Sequence, residues 1–303
     1  MAFAVTDLKG SVPPLVTPFR KGEVDYSAYT SLLEAVVAGG SHGVVVNGTT
    51  AEPTTLTLGE RTDLVKCAVE KVAARVPVVA ATSAQSFKDT LQLTKEATEA
   101  GADALLILTP YFIKPPVRGM IEYFKALASE TPLPILIYHI PGRSGVTMPA
   151  TAMAELNAAT PSVVGVKHAS SDLAFVTEML TLKPDFRIFA GLEDLSFPMM
   201  AVGAVGMMNA AGNVVPQRIA ALAEAALAGD MTRASTLHRE LFKLNQAIFW
   251  DTNPVPLKYM LKRMNLLPNN EHRLPMCGPT AEVARRLDEL LDEIGLLQPR
   301  RAN

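Results

Sequence analysis

Short apolar bursts recur along the first two thirds of the chain, and their spacing constrains the fold more than any other feature. They read "PLVTPF" (14–19), "GVVVNGTT" (43–50), "PVVAATS" (77–83), "ALLILTP" (104–110), "PILIYHI" (134–140), "VVGVKHAS" (163–170), "RIFAG" (187–191) and "VGMMNAAG" (205–212), eight in all. Each is apolar on both faces, as parallel strands are when helices cover one side and an interior fills the other. Between most of them apolar residues fall at helical spacing, as in Leu32, Leu33, Val36 and Val37, or Leu64, Val65, Ala68, Val69 and Val72, or Leu91, Leu93, Thr94 and Ala97. Eight strands alternating with helices at roughly thirty-residue intervals predict an α/β fold, the (β/α)8 TIM barrel, whose usual size is about 250 residues. An open doubly wound sheet is the rival. It favours a glycine-rich phosphate turn, yet no G-x-G-x-x-G follows the first burst and no G-x-x-x-x-G-K-[ST] occurs anywhere.

The chain has 303 residues, and the excess over a bare barrel is C-terminal. Residues 1–225 read as the catalytic barrel and 226–303 as a helical subdomain. The latter carries "MTRASTLHRELFKLNQAIF", then "NPVPLKYMLKRM", where Asn253 reads as a cap and Pro254 as a first-turn residue, and finally "TAEVARRLDELLDEIG".

A hydrophobic content of 49% with 19% charged residues suits a soluble globular chain with a substantial core. The net charge of -2 and the lack of a basic run interleaved with aromatics argue against a nucleic-acid partner. The first ten residues, "MAFAVTDLKG", do not read as a signal peptide. No apolar run approaches the ~20 residues that span a bilayer, so a cytoplasmic location without membrane contact is expected. Cys67 and Cys277 stand far apart with no C-x-x-C or Cys/His cluster, which predicts reduced thiols and no zinc site.

In such barrels the chemistry sits at the C-terminal ends of the strands. Here those ends carry Thr17, Asn47, Thr49, Thr50, Glu52, Thr82, Ser83, Tyr111, Tyr138, His139, Arg143, Lys167, His168, Glu193, Asp194, Asn209 and Asn213. Lys167 is the arresting member, because lysine is rarely buried and this one ends an apolar strand. Desolvation disfavours an ammonium, and a neutral amine facing a small carbonyl compound forms a Schiff base whose iminium is an electron sink. The plainer reading has Lys167 snorkelling, or paired with Glu193 or Glu52. Imine chemistry needs several proton transfers, which a tyrosine touching a threonine relays. Tyr138 ends the preceding strand and is either that phenol or a barrel-rim aromatic. Thr49 and Thr50 follow Gly48 at a strand end and suit a carboxylate, or are ordinary turn residues. Arg143, in "PGRSG", is a carboxylate fork or an exposed loop arginine. His139 and His168 at adjacent strand ends also suggest part of a divalent-metal set for a barrel hydrolase, although the first strand lacks H-x-H and the last offers Asn rather than Asp.

Over nearly its whole length the chain resembles the dihydrodipicolinate synthase and N-acetylneuraminate lyase family of pyruvate-dependent class I aldolases. The likeness is carried in order by "GTTAEPTTL" (48–56), "TPYF" (109–112), "YHIPGRSGV" (138–146), "GVKHAS" (165–170), "GLEDLSFP" (191–198) and "NPVPLK" (253–258). The resemblance implies a Schiff base between Lys167 and pyruvate, with no external cofactor. It also implies that Tyr138 moves protons, that Thr49 hydrogen-bonds it, and that Thr50 with nearby N–H groups binds the pyruvate carboxylate. Arg143 would take a second carboxylate, as in the synthase branch that "PGRSG" and "NPVPLK" resemble, and backbone groups at Gly191 and around Met208 would line the pocket. That branch condenses pyruvate with aspartate semialdehyde. Action on another 2-oxo acid, in sugar-acid or aromatic catabolism, is the alternative. The resemblance further implies a homo-oligomer, a tetramer built as a dimer of dimers.

Departures cluster at the presumed pocket mouth. Phe112 replaces a tyrosine that completes the relay from a neighbouring subunit, and His139 and His168 stand where Asn and Glu are common. Ala51 replaces a glycine, Leu192 an aspartate, and Met207, Met208 and Asn209 a Val-Ile-Ser. Leu58 and Gln85 occupy the places of a His and an Asn in the lysine-inhibition site of some synthases, so weak or absent feedback is expected.

Overall fold

The computed structural model describes residues 3–297. Met1, Ala2 and the last residues of the expected C-terminal segment, 298–303, lie outside the described residues. In chain order the strands are β1 (Gly10–Ser11), β2 (Phe19–Arg20), β3 (Glu23–Val24), β4 (Val44–Val46), β5 (Val78–Ala81), β6 (Ala104–Leu108), β7 (Ile135–His139), β8 (Val163–His168), β9 (Arg187–Ala190) and β10 (Gly206–Met207). The helices are α1 (Tyr26–Ala38), α2 (Leu58–Val72), α3 (Phe87–Glu99), α4 (Val117–Ala128), α5 (Pro141–Ser144), α6 (Ala150–Ala159), α7 (Leu173–Leu182), α8 (Ser196–Ala201), α9 (Pro216–Leu227), α10 (Met231–Ala247), α11 (Val255–Arg263) and α12 (Ala281–Glu293).

Eight strands pair in parallel in the order β1-β10-β9-β8-β7-β6-β5-β4. The two ends meet: Pro14 bridges Val45, Leu15 N–H donates to Val45 O (3.0 Å) and Val45 N–H to Pro13 O (2.9 Å). The sheet therefore closes into the (β/α)8 barrel expected from the bursts. The first burst is displaced, however. The strand proper is Gly10–Ser11, and "PLVTPF" continues it as buried wall that meets the ladder at Pro14 and Leu15. Pro13, Pro14 and Pro18 have no N–H to give a neighbour. Phe19 instead opens the β2–β3 hairpin, whose turn residues Lys21 (φ 54°) and Gly22 (φ 81°) take the positive φ that a two-residue hairpin requires.

Helix starts are set locally. Asp25 accepts from Ala28 N–H, Thr57 and Glu60 form a reciprocal capping box, Ser86 accepts from Asp89 N–H and Asp172 from Phe175 N–H. Asn253 departs from its expected capping role. Its amide reaches Thr50 Oγ1 at 3.0 Å, and Pro254 is the residue that precedes α11. The division expected after residue 225 falls inside α9, whose buried face belongs to the same apolar cluster as Leu241, Leu257 and Leu290 farther along.

Strand alternation sorts the side chains into two layers. Val44, Val46, Leu105, Ile107, Ile135, Ile137 and Val166 face the helices, while Val45, Leu106, Leu136, Tyr138, Phe189 and Met208 fill the barrel. The same parity sends Lys167 inward and His139 and His168 outward. β8 and β9 approach closely at Gly165, where a Cβ would lie 2.2 Å from Arg187 O and 2.8 Å from Leu136 Cδ2. Gly165→Ala is accordingly expected to cost about 1–3 kcal/mol by forcing the two strands apart. Denaturant unfolding of the variant beside the parent checks this, and an unchanged midpoint contradicts it.

Candidate active site

Parallel pairing of β7 with β8 places Tyr138 opposite Lys167. The lysine is 4% exposed, and its Nζ lies 4.5 Å from the centroid of the Tyr138 ring. Thr49 donates to the Tyr138 hydroxyl at 3.3 Å. A primary amine, a phenol and an alcohol thus stand in sequence at one end of the barrel, the grouping that imine chemistry needs.

The carboxylates considered as partners of Lys167 are engaged elsewhere. Among the described residues none forms an ion pair with it. Glu52 accepts from Lys258 Nζ (2.8 Å) and from His272 Nδ1 (3.0 Å). Glu193 accepts from Ala210 N–H at 2.7 Å through one oxygen, while the other is buried without a partner. Burial pushes the Glu193 carboxyl from 4.5 up to about 7, against the opposing pull of Ala210 N–H and of the Lys167 charge.

The threonines sit on a tight 3-10 turn, Thr49–Ala51, flanked by two non-glycine residues in the left-handed region, Asn47 (φ 60°) and Glu52 (φ 57°). Such backbone persists only when its surroundings hold it. Asn47 Nδ2 donates to Arg61 O (2.8 Å), Thr17 Oγ1 to Ala51 O (2.9 Å) and Asn253 Nδ2 to Thr50 Oγ1 (3.0 Å). Glu52 adds the strongest tie, because its partner Lys258 on α11 is fully buried and lies 4.4 Å over the Phe19 ring. Burial pulls the Lys258 ammonium below its ordinary value while Glu52 raises it. Removing one member of such a pair strands a buried charge at about 3–5 kcal/mol. Lys258 and His272 were missed in the sequence. The available signal was that Lys258 lies three residues after Val255 and three before Leu261, on the apolar stripe of its helix.

A cavity of about 250 Å³ opens at this end of the barrel, walled among others by Thr49, Tyr138, Arg143, Tyr111, Asn253 and Met276. Arg143, on α5, is exposed at this wall. Lys167, Gly191 and Met208 are not among the residues that wall it. Tyr138 joins the two regions, since it borders the cavity and carries the lysine against its ring. Of the backbone groups at Gly191 and Met208, the first N–H donates to His168 O and the second to Ala190 O, both at 2.8 Å. The ladder uses these groups. Thr50 is buried with its hydroxyl on Asn253, so the structure brings Thr49, Tyr138 and Arg143 to one cavity and sets Thr50 behind it. Phe112 (81% exposed, φ 72°) and Ile113 (76%) project from the loop after Tyr111. Among the described residues no group of three or more His, Cys, Asp or Glu side chains is placed to hold a metal ion.

A closed (β/α)8 barrel with an inward lysine, a phenol and an alcohol at its strand ends defines a lyase of the class I aldolase superfamily. The comparisons with known proteins agree. The model of the dihydrodipicolinate synthetase family matches residues 7–294, and the chain belongs to that family. It is 46% identical over 291 residues to a 4-hydroxy-tetrahydrodipicolinate synthase of Thermus thermophilus, covering 95% of this chain and 97% of the relative. It is 40% identical to the synthase of the same name from Persephonella marina, over 96% and 99% of the two chains. The crystal structure of dihydrodipicolinate synthase from Aquifex aeolicus superposes with a TM-score of 0.94 at 36% identity, over 96% of this chain and all of that one.

Glu193 gives a pH-dependent expectation. Its folded value lies above its unfolded one, so the folded state holds the proton more tightly. The contribution of Glu193 to stability is therefore fully present at or below about pH 4.5 and is lost as pH rises through about 7. Glu193→Gln should remove that loss, gaining about 3 kcal/mol over the parent at roughly pH 8 and little at roughly pH 4. Unfolding midpoints at the two pH values check it, and a variant that tracks the parent at both contradicts it.

Proposed function

We propose that the chain acts as a 4-hydroxy-tetrahydrodipicolinate synthase, joining pyruvate to aspartate semialdehyde through a Schiff base on Lys167. The contact series Lys167, Tyr138, Thr49 carries this reading. The amine of Lys167 adds to the C2 carbonyl of pyruvate, and Tyr138 passes a proton to the departing oxygen, which leaves as water. The resulting iminium withdraws electrons, so C3 loses a proton and an enamine forms. C3 of the enamine then attacks the aldehyde carbon, and the aldehyde oxygen takes up a proton. Attack of the substrate's own amine on the restored iminium closes the ring and frees Lys167. Lysine carries the carbonyl chemistry throughout, without an external cofactor.

Arg143 binds the carboxylate of the semialdehyde at the cavity wall, and the Thr49–Ala51 turn holds that of pyruvate. With Phe112 in place of a second phenol, the relay within this chain consists of Tyr138 and Thr49. The exposed Phe112 and Ile113 suit contact with a second copy of the chain, in a homotetramer arranged as a dimer of dimers. Among the described residues no helix is long and apolar enough to cross a membrane. The reading places the enzyme in the cytoplasm, in lysine biosynthesis, with no nucleic-acid partner.

A coupled assay with aspartate semialdehyde, run beside a panel of 2-oxo-3-deoxy acids, tests the substrate. The semialdehyde should be preferred in kcat/KM, and a higher value for a panel member would move the enzyme to 2-oxo acid cleavage or dehydration. Lys167→Ala should lose turnover by roughly a thousandfold or more. A titration with lysine at saturating pyruvate should leave the rate nearly unchanged, because Leu58 offers no imidazole and Gln85 carries its amide one methylene farther out than an asparagine. Half-inhibition at physiological lysine would overturn that expectation.

A further inference from the structure

Directly behind the Lys167–Tyr138 pair lies a second register pair, His139 opposite His168, on the outward face of β7 and β8. Both rings are buried, and they form a stack with Phe175 of α7. The His168 and Phe175 rings are 4.3 Å apart at 7°, those of His139 and His168 5.3 Å apart at 22°. Their hydrogen bonds fix which nitrogens carry protons. Met148 N–H donates to His139 Nε2 at 3.2 Å, so that nitrogen is bare and the proton of a neutral ring sits on Nδ1. His139 Nδ1 faces His168 Nδ1 at 3.1 Å, so the second must accept. The His168 proton is then on Nε2, which meets Asp172 O at 3.0 Å.

Every ring nitrogen is satisfied in one direction, and both rings are neutral. A further proton on His139 would confront Met148 N–H, and one on His168 would confront the His139 Nδ1 proton. Burial pulls both imidazoles below their ordinary value, His139 to about 4, and Asp172 at the start of α7 is the acidic group that opposes this in each case.

We propose that this neutral histidine pair positions the catalytic groups, locking the end of β7 to the end of β8 so that Tyr138 and Lys167 keep their contact. The same chain of hydrogen bonds ties down two active-site loops. Met148 closes the segment that carries Arg143, and Asp172 caps α7 directly after the Lys167 strand. Neither imidazole reaches the reacting atoms, so both are positioning residues. The inference rests on Lys167 and Tyr138 being the reacting groups.

His168→Phe keeps the stack on Phe175 but leaves the His139 Nδ1 proton buried without an acceptor. We expect kcat to fall roughly tenfold or more with KM for pyruvate within about threefold, since the carboxylate site lies on another strand end. His168→Gln, which can still accept and donate, should recover most of the loss. A folded His168→Phe variant with kcat within about twofold of the parent would reduce the pair to core packing. Neutron diffraction from deuterium-exchanged crystals of the parent gives a test that needs no variant: deuterium on His139 Nδ1 and His168 Nε2 alone is expected, and a doubly protonated ring at neutral pH would overturn the inference. A parent enzyme inert toward pyruvate would instead remove the reading of Lys167 while leaving the proton assignment standing.

Discussion

The pairing of β7 with β8 is the contact on which the site depends. Parallel register sets Tyr138 beside Lys167, and strand parity turns both into the barrel. A shift of one residue in either strand would turn its inward polar residue, Tyr138 or Lys167, toward the helices and bring its histidine inside. The apolar residues before them resist such a slip. Ile135, Ile137 and Val166 are buried against helices, while Leu136 is buried within the barrel. Hydrophobic burial thus specifies where Lys167 points. Among the described residues it has no carboxylate partner to quench it.

The C-terminal helices serve the same site from the other side. Asn253 reaches Thr50, and Lys258 and His272 hold Glu52, so the threonine turn is clamped between β4 and α11. The turn contains backbone that its own sequence does not favour. A buried ion pair is a weak source of net stability but a strict specifier of geometry once formed, because neither partner tolerates the loss of the other. That makes the appendage part of the active-site scaffold rather than a passive cover.

Most of the barrel was legible because parallel strands covered on both faces leave runs of branched apolar residues that periodicity detects. The first strand was misplaced for a physical reason, since Pro14 and Pro18 leave "PLVTPF" with the apolar look of a strand but two ladder donors short. Lys167, Tyr138, Thr49 and Arg143 could be singled out because each ends a burst or sits in a turn beside one. That the N–H groups of Gly191 and Met208 belong to the ladder follows only from register, which the sequence does not print. The same holds for Asn253, which looked like a local cap and is bonded 203 residues away. His139 and His168 were visible as strand-end residues, but their pairing through Nδ1 follows only from the register of β7 on β8.

The central claim is that Lys167 is the nucleophile, and trapping its adduct tests this most directly. Borohydride reduction in the presence of pyruvate, followed by peptide mass analysis, should fix one pyruvyl group on the peptide that contains Lys167. No adduct, or one on another lysine such as Lys258, would contradict the account.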